Sequence, residues 1–151
     1  MIHRFKYGQK TYLFKPFTQF IINFLQIYHF DIKQFDIIAP IPLFPSRLRE
    51  RGYNQSQLLA EPISREYGIH LSLKNLIRIR NTEHQTFLTE KERWTNIQGA
   101  FRIINSAAFS GKNILIIDDL LTTGATASEA AGVLKNAGAE TVGVLTLAVT
   151  F

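Results

Sequence analysis

Two neighbouring carboxylates and a hydroxyl-rich glycine turn follow one another between residues 113 and 126 of this sequence. The segment reads NILIIDDLLTTGAT. Ile114 to Ile117 form a continuous apolar run, which is typical of a parallel strand covered on both faces. We therefore expect Asp118 and Asp119 at the carboxyl end of that strand, where ligands bind in open α/β sheets.

The turn after the carboxylates has the composition of a phosphate site. Thr122, Thr123, Gly124, Ala125 and Thr126 offer backbone N–H groups, three hydroxyls and the start of a helix, all of which favour a phosphate dianion. A carboxylate would repel the phosphate unless it faced hydroxyl groups, from which it can only accept hydrogen bonds. The pattern predicts a ribose 5-phosphate site. The alternative is an ordinary βα turn whose acids hydrate the sheet edge and whose Thr126 caps a helix.

This segment resembles the 5-phosphoribosyl-1-pyrophosphate (PRPP) signature of type I phosphoribosyltransferases, in which apolar residues precede two acids and a TTG-type turn. Three further segments are similar to the ComF/GntX-type branch, which is associated with natural competence and DNA uptake. They are HRFKYGQK from His3, PIPLFPSRLRERGYNQSQLLA from Pro40 and RIRNTEHQTFLTEKERWTNIQGAF from Arg78. Members of this branch commonly begin with a four-cysteine zinc module. This sequence has no cysteine, so we expect a short form or a truncated gene product.

The resemblance implies an α/β protein with the type I phosphoribosyltransferase fold, in one domain over residues 1–151. A central, mainly parallel sheet would be flanked by helices. A small hood over its carboxyl edge would come from the N-terminal segment or from the Arg78–Phe101 region. The hood usually helps to choose the acceptor, so the acceptor stays undefined.

The resemblance also implies a reaction and its site residues. A ribosyl 5-phosphate group would pass from PRPP to a nucleobase-like acceptor, with Mg²⁺ bound mainly through PRPP rather than by a cluster of protein ligands. The alternative is a non-catalytic sensor of PRPP or nucleotides that acts through protein or DNA partners, such as the competence machinery. Asp118, Asp119 and Arg80 are the catalytic candidates.

Arginines suit the pyrophosphate leaving group because the guanidinium stays charged and binds phosphate at two points. Arg47 and Arg51 match the pyrophosphate loop, with Arg49 as a third candidate. Arg78, Arg80 and Arg93 lie in or beside a loop that closes over PRPP in related enzymes, and Arg80 and Arg93 are the preferred candidates. For each arginine the alternative is a solvated surface charge. His84 is a candidate proton donor, although a loop histidine more often faces solvent.

Composition sets broader limits. The 151 residues suffice for one α/β domain with a core. Seventeen basic against 12 acidic side chains give a net charge of +5 and a pI near 9.6, which favours an anionic partner. We expect nucleic acid binding to be weak at most. The absence of cysteine excludes disulfides and thiolate zinc sites within this sequence and favours a cytoplasmic protein.

The first half of the chain predicts two helices around one strand. The apolar stretch Phe17–Phe30 is too short to span a bilayer, and its spacing predicts a helix that begins near Pro16. The stripe is expected to face the core, the alternative being a homodimer or partner surface. It comprises Phe14, Phe17, Phe20, Ile21, Phe24, Leu25 and Tyr28.

A buried strand is expected at Phe35–Ala39, followed by a loop over Pro45–Asn54. Asn54 and Gln57 resemble a capping box that opens a helix to about Tyr67, with Gly68 as its C-terminal cap. Pro62 lies inside this helical pattern and would kink the axis.

The second half predicts the elements around the signature. Leu76–Arg80 reads as a short strand, and Asn81–Gln98 as a long mobile loop with one helical turn at most. Thr126–Asn136 is expected to be a helix, and Thr141–Val149 a buried strand. Together with the signature strand they predict a right-handed βαβ unit.

Overall fold

The computed structural model describes residues 14–82 and 89–150. Within these ranges a four-stranded parallel sheet forms the centre of the molecule, in the order β2-β1-β5-β6. These strands are β1 (Ile37–Pro40), β2 (His70–Leu71), β5 (Asn113–Leu121) and β6 (Thr141–Val149). Two further strands, β3 (Leu76–Arg78) and β4 (Phe101–Ile103), form a separate antiparallel pair. The predicted parallel sheet is confirmed.

Five α-helices are present in the described ranges, and two short 3-10 turns at Ile32–Gln34 and Ser106–Ala108 accompany them. Between β5 and β6 lies one of these helices, so that the predicted βαβ order is confirmed. The helices are α1 (Phe14–Ile27), α2 (Pro45–Arg51), α3 (Gln55–Tyr67), α4 (Glu90–Ile97) and α5 (Ala125–Asn136).

The core lies in two layers, one on each face of the sheet. Leu115 and Ile117 of β5 contact one layer, which α1 and α3 cover, whereas Ile114 and Ile116 contact the other. This alternation follows from the pleat of the strand. Helices α4 and α5 and the β3–β4 pair cover the second face. Both faces are therefore buried, as expected for a parallel sheet.

The ends of the strands differ at the carboxyl edge of the sheet. Strand β1 stops at Pro40, which is paired with Ile117, whereas β6 continues to pair with β5 as far as Leu121. The signature strand therefore runs on past the predicted Ile114–Ile117, so that Asp118 and Asp119 lie among its last four residues. They lie beside the end of β1. Because β1 is shorter than β5, other elements can approach β5 at this edge of the sheet.

Helix α1 buries a different stripe from the one predicted. Ile21 and Leu25 are buried as expected, together with Thr18 and Ile22. Phe20, Phe24 and Tyr28 are exposed, and Tyr28 retains 69% of its accessible surface. The prediction that all seven apolar residues face the core was wrong, because the core packs against only one side of the helix. No helix in the described part of the chain is long and apolar enough to cross a membrane.

The segment Pro45–Asn54 was predicted to be a loop, and that prediction was wrong over its first seven residues. They form α2, with Pro45 at its first helical position and Gly52 as a left-handed C-terminal cap with φ +78°. Proline fits there because the first N–H of a helix lacks an intrahelical partner. The arginines of this segment therefore stand on a helix.

Helix α3 begins and ends as predicted, although the capping box does not form. The Asn54 side chain accepts a hydrogen bond from the Ser56 N–H, while Gln57 donates to Glu61 instead of returning to the cap. Gly68 caps the other end at φ +68°. Pro62 is accommodated within the helix, at the half-buried groove between α1 and α3.

The region between β3 and β4 is more regular than predicted. Strand β3 ends at Arg78, two residues earlier than expected, and Glu90–Ile97 forms a two-turn helix in the segment predicted as loop. A capping box starts it, because Thr89 accepts from the Glu92 N–H while the Glu92 carboxylate accepts from the Thr89 N–H. Helix α4 and β4 pack on α5. The described part of the Arg78–Phe101 region thus packs on the second face of the sheet, and the implied hood over the carboxyl edge stays a prediction.

Candidate functional site

Asp118 and Asp119 are buried at the open carboxyl edge. They retain only 8% and 6% of their accessible surface. Oδ1 of Asp118 accepts a hydrogen bond from the Asp119 N–H at 2.9 Å and another from the Ser56 hydroxyl at 3.2 Å. The two predicted carboxylates are therefore held within the protein rather than hydrated at its surface, which contradicts the alternative of an ordinary solvated turn.

The start of α3 is fixed beside these carboxylates. Asn54 Nδ2 donates to the carbonyl of Ile41 at 2.9 Å, immediately after β1. Ser56 then lies two residues into the helix region and reaches Asp118. The amino terminus of α3, with its positive end of the helix dipole, consequently lies at the same edge as the carboxylates.

The predicted phosphate turn leads directly into α5. Gly124 is the N-cap at φ +79°, a left-handed conformation that glycine adopts without strain. The Ala125 N–H donates weakly to the Thr123 hydroxyl at 3.4 Å. Because the cap is a glycine, it supplies no side-chain acceptor for the first N–H groups of the helix. Thr126 lies inside the helix, so the alternative role of Thr126 as the cap was wrong.

The charge of Arg78 on β3 interacts with the charges of Asp118 and of three other arginines. Burial, above all, lowers the pKa of Arg78 to about 10; the nearby Asp118 charge raises it, and the charges of Arg47, Arg51 and Arg80 lower it. The guanidinium remains charged at neutral pH. We call Arg47, Arg51, Arg78 and Arg80 the arginine cluster. The four positive charges of this cluster exceed the two negative charges of Asp118 and Asp119, which favours a ligand with several negative charges.

Contacts within the protein distinguish these arginines. The guanidinium carbon of Arg78 lies 5.6 Å from the centre of the Phe101 ring, and the Arg78 Nη2 donates to the Thr82 hydroxyl. Its Nε is buried and makes no hydrogen bond within the described residues. Arg51 Nη1 donates to Oε1 of the buried Gln55 at 3.4 Å.

The other predicted arginines differ in their exposure and in their contacts within the protein. Arg80 is exposed and donates to the carbonyl of Asn96 at 2.6 Å. Arg49 is exposed on α2, whereas Arg93 is half-buried on α4. Arg47 lies 3.8 Å from the Glu50 carboxylate, an i,i+3 pair of the weak surface kind.

Sequence reasoning assigned no site role to Ser56 or Gln55 and preferred Arg80 and Arg93 to Arg78, although all three overlooked residues belong to segments singled out by the resemblance. Their types carry no distinctive signal, because serine, glutamine and arginine are common surface residues. Only the packing shows that Ser56 and Gln55 are buried. The predicted His84, and the HRFKYGQK segment from His3, lie outside the described residues.

The donor set at this edge fits a magnesium ion that arrives with its ligand. The two carboxylates supply the oxygen atoms that Mg²⁺ prefers. No group of three or more histidine, cysteine, aspartate or glutamate side chains within residues 14–82 and 89–150 is arranged to hold a metal ion. Further ligands would therefore have to come from phosphate oxygens and water.

Comparison with known proteins identifies a domain family and several relatives of this chain. Residues 54–149 match the model of the phosphoribosyl transferase domain. The chain is 32% identical over 148 residues to DNA utilization protein YhgH of Escherichia coli O157:H7, covering 95% of this chain and 63% of that protein. It is 38% identical over 138 residues to competence protein ComFC of Bacillus subtilis, covering 91% and 53%. The chain thus spans less than two thirds of these relatives.

The fold also has solved counterparts. The adenine phosphoribosyltransferase of Thermoanaerobacter pseudethanolicus superposes with a TM-score of 0.55 at 14% identity, over 93% of this chain and 82% of that one. At this identity the likeness concerns the fold alone. The domain match and the parallel sheet agree with each other. The chain belongs to the phosphoribosyl transferase domain family, and its relatives include competence protein ComFC.

Proposed function

We propose that this protein binds PRPP together with Mg²⁺ and transfers its 5-phosphoribosyl group to a nucleobase-like acceptor. One observation carries the proposal: two buried carboxylates stand before a glycine turn at the amino terminus of α5, and Arg78 of the arginine cluster lies near Asp118. These groups are chemically suited to bind the ribose diol, the 5-phosphate and the pyrophosphate of PRPP.

Different residues of the chain would bind different parts of PRPP. The turn Thr122–Thr126 and the first N–H groups of α5 hold the 5-phosphate. Asp118 and Asp119 accept hydrogen bonds from the ribose hydroxyls, while the arginine cluster stabilises the pyrophosphate. Bound Mg²⁺ would neutralise charge on the pyrophosphate. Each group acts by position and charge, which suits a reaction that passes through an oxocarbenium-like state.

The reaction needs no covalent bond to the protein. The bond from ribose C1 to the pyrophosphate oxygen breaks, and its electron pair leaves with the pyrophosphate. A nitrogen lone pair of the acceptor forms the new bond to C1, and the proton on that nitrogen passes to solvent. The arginine cluster favours this step because it stabilises negative charge that develops on the leaving group.

The names of the relatives support a cellular context. YhgH is named a DNA utilization protein and ComFC a competence protein. We therefore propose that this chain acts in DNA uptake, with products or signals derived from PRPP. A non-catalytic PRPP sensor would use the same pocket, and turnover of PRPP separates the two functions.

Calorimetric titration with PRPP and MgCl₂ tests the binding step. We expect micromolar affinity that requires Mg²⁺, and loss of binding in the double variant Asp118→Asn with Asp119→Asn. Asp36→Asn is the matched control, because Asp36 accepts a backbone hydrogen bond from Asn113 at the opposite end of β5, at 2.8 Å. Wild-type affinity in a folded double variant would disprove the ribose assignment. Pyrophosphate release in a scan of bases then distinguishes transferase from sensor.

A further inference from the structure

The first residues of α3 join three elements at the carboxyl edge, and the proposed function does not use them. Asn54 donates to the carbonyl of Ile41 at 2.9 Å and accepts from the Ser56 N–H at 3.1 Å. The Ser56 hydroxyl donates to Oδ1 of Asp118 at 3.2 Å. A continuous chain of hydrogen bonds therefore runs from the end of β1, through the start of α3, to the signature carboxylate.

The Ser56–Asp118 contact is buried at both ends. Ser56 retains 4% of its accessible surface and Asp118 retains 8%. A hydrogen bond to a charged group is stronger than a neutral one, and its removal in a water-poor site leaves the carboxylate with one solvation partner fewer. Removal of the Ser56 hydroxyl should therefore cost more free energy than removal of the hydroxyl of an exposed serine.

Two donors approach the same oxygen of Asp118 from different elements. The Asp119 N–H belongs to β5 itself, whereas the Ser56 hydroxyl belongs to α3. Together they restrict rotation of the carboxyl group about its bond to Cβ. Orientation of this kind decides whether a carboxylate meets both hydroxyls of a diol.

We propose that Ser56 is a positioning residue for ribose recognition. Its hydroxyl holds Asp118 in the orientation that accepts the sugar hydroxyls, without itself contacting the ligand. This inference rests on the proposed function, because it takes Asp118 as a ribose ligand. It also assigns a role to the RGYNQS segment. Asn54 fixes the helix start to β1, so that Ser56 is presented to Asp118.

The ligand dependence of Ser56→Ala tests the proposal. The affinity for PRPP with Mg²⁺, and for ribose 5-phosphate, should fall on the order of tenfold, as expected for one hydrogen bond to a charged group. The affinity for pyrophosphate with Mg²⁺ should not change, since pyrophosphate lacks the ribose. In the Asp118→Asn background, Ser56→Ala should cause much less further loss.

Ser64→Ala is the matched control within the same helix. The Ser64 hydroxyl donates to the carbonyl of Ile69 at 2.6 Å, at the far end of α3. Its loss should lower the melting temperature while leaving the affinities for all three ligands unchanged. Ser56→Cys, which keeps the shape but weakens the donor, carries the same test if Ser56→Ala does not fold; it should lose several-fold in affinity for PRPP.

The possible outcomes separate this inference from the proposed function. Unchanged PRPP affinity in a folded Ser56 variant overturns the positioning role while the proposed function stands. Equal weakening of pyrophosphate also overturns it, because the serine would then support the whole edge. Absence of PRPP binding by the unaltered protein overturns the proposed function and this inference with it.

Discussion

The guanidinium of Arg78 occupies the most constrained position in the arginine cluster. It is half-buried beside the Phe101 ring, and its pKa is lowered to about 10 chiefly by burial. The cost of burying this charge falls when a polyanion binds next to it, because the ligand replaces the missing solvent. Substitution of Arg78 should therefore have a large effect on the affinity for a polyanionic ligand.

We predict that Arg78→Gln lowers the affinity for PRPP about tenfold or more, as is typical for a charge-assisted contact. Arg78→Lys should restore little of it, because lysine cannot supply the planar guanidinium that lies beside Phe101. Arg80→Gln is the comparison variant and should lose less affinity, since Arg80 belongs to the same cluster but is exposed and donates to the Asn96 carbonyl. Calorimetry of the three variants measures the effect. A larger loss in Arg80→Gln than in Arg78→Gln would contradict this prediction.

Arg51 allows a second prediction, based on which part of the ligand it would contact. Arg51→Ala should weaken PRPP and pyrophosphate but leave ribose 5-phosphate nearly unchanged, since only the first two carry the diphosphate. The exposed Arg49 on the same helix supplies the control variant Arg49→Ala. Equal loss for all three ligands would indicate that Arg51 acts through Gln55, to which it donates.

The sequence predicted the residues of the site unevenly. Asp118, Asp119 and the glycine turn are contiguous, so one strand and one helix start suffice to bring them together. Ser56 lies 62 positions from Asp118, and no local pattern links a serine to a distant carboxylate. Arg78 was passed over in favour of Arg80 because residues two apart on a strand share a face, and the sequence does not show that β3 ends at Arg78 and leaves Arg80 exposed.

At the scale of elements, helix α2 shows why the arginine segment was mistaken for a loop. Two prolines before Pro45 indicated a break, and a helix of seven residues is too short for a clear apolar period. Helix α4 was missed for a related reason, since it is strongly polar and its two turns depend on the capping box at Thr89. Long strands and α3 were predictable because their patterns cover more residues.

The packing of β6 on the sheet gives a prediction about stability. A Cβ atom at Gly143 would lie 2.5 Å from Cζ of the buried Phe35, so Gly143→Ala should lower the free energy of unfolding by about 1–3 kcal/mol. Gly132 of α5 has no atom within 4 Å of such a Cβ, and Gly132→Ala should raise it by about 0.5–1 kcal/mol. Urea unfolding of both variants measures the difference. Equal effects would contradict the assigned contact.

At the scale of the whole molecule, the net charge of +5 and the charge at one site must be distinguished. General basicity attracts any polyanion, whereas the arginine cluster is grouped around Arg78, whose charge interacts with that of Asp118. A small ligand and a nucleic acid can compete for the same arginines, but they differ in how many phosphates they engage at once. Salt dependence measures that number.

We predict that DNA binds this chain weakly and without sequence preference. If α2 belongs to the PRPP site, saturating PRPP with Mg²⁺ should displace a bound oligonucleotide, and the slope of log affinity against log salt should be small because few phosphates are engaged. Arg49→Ala should leave this competition unchanged, whereas Arg51→Ala should weaken both ligands. Fluorescence anisotropy at several salt concentrations provides the measurement. Tight binding with a steep salt slope, undiminished by PRPP, would place the DNA-binding surface elsewhere on the molecule.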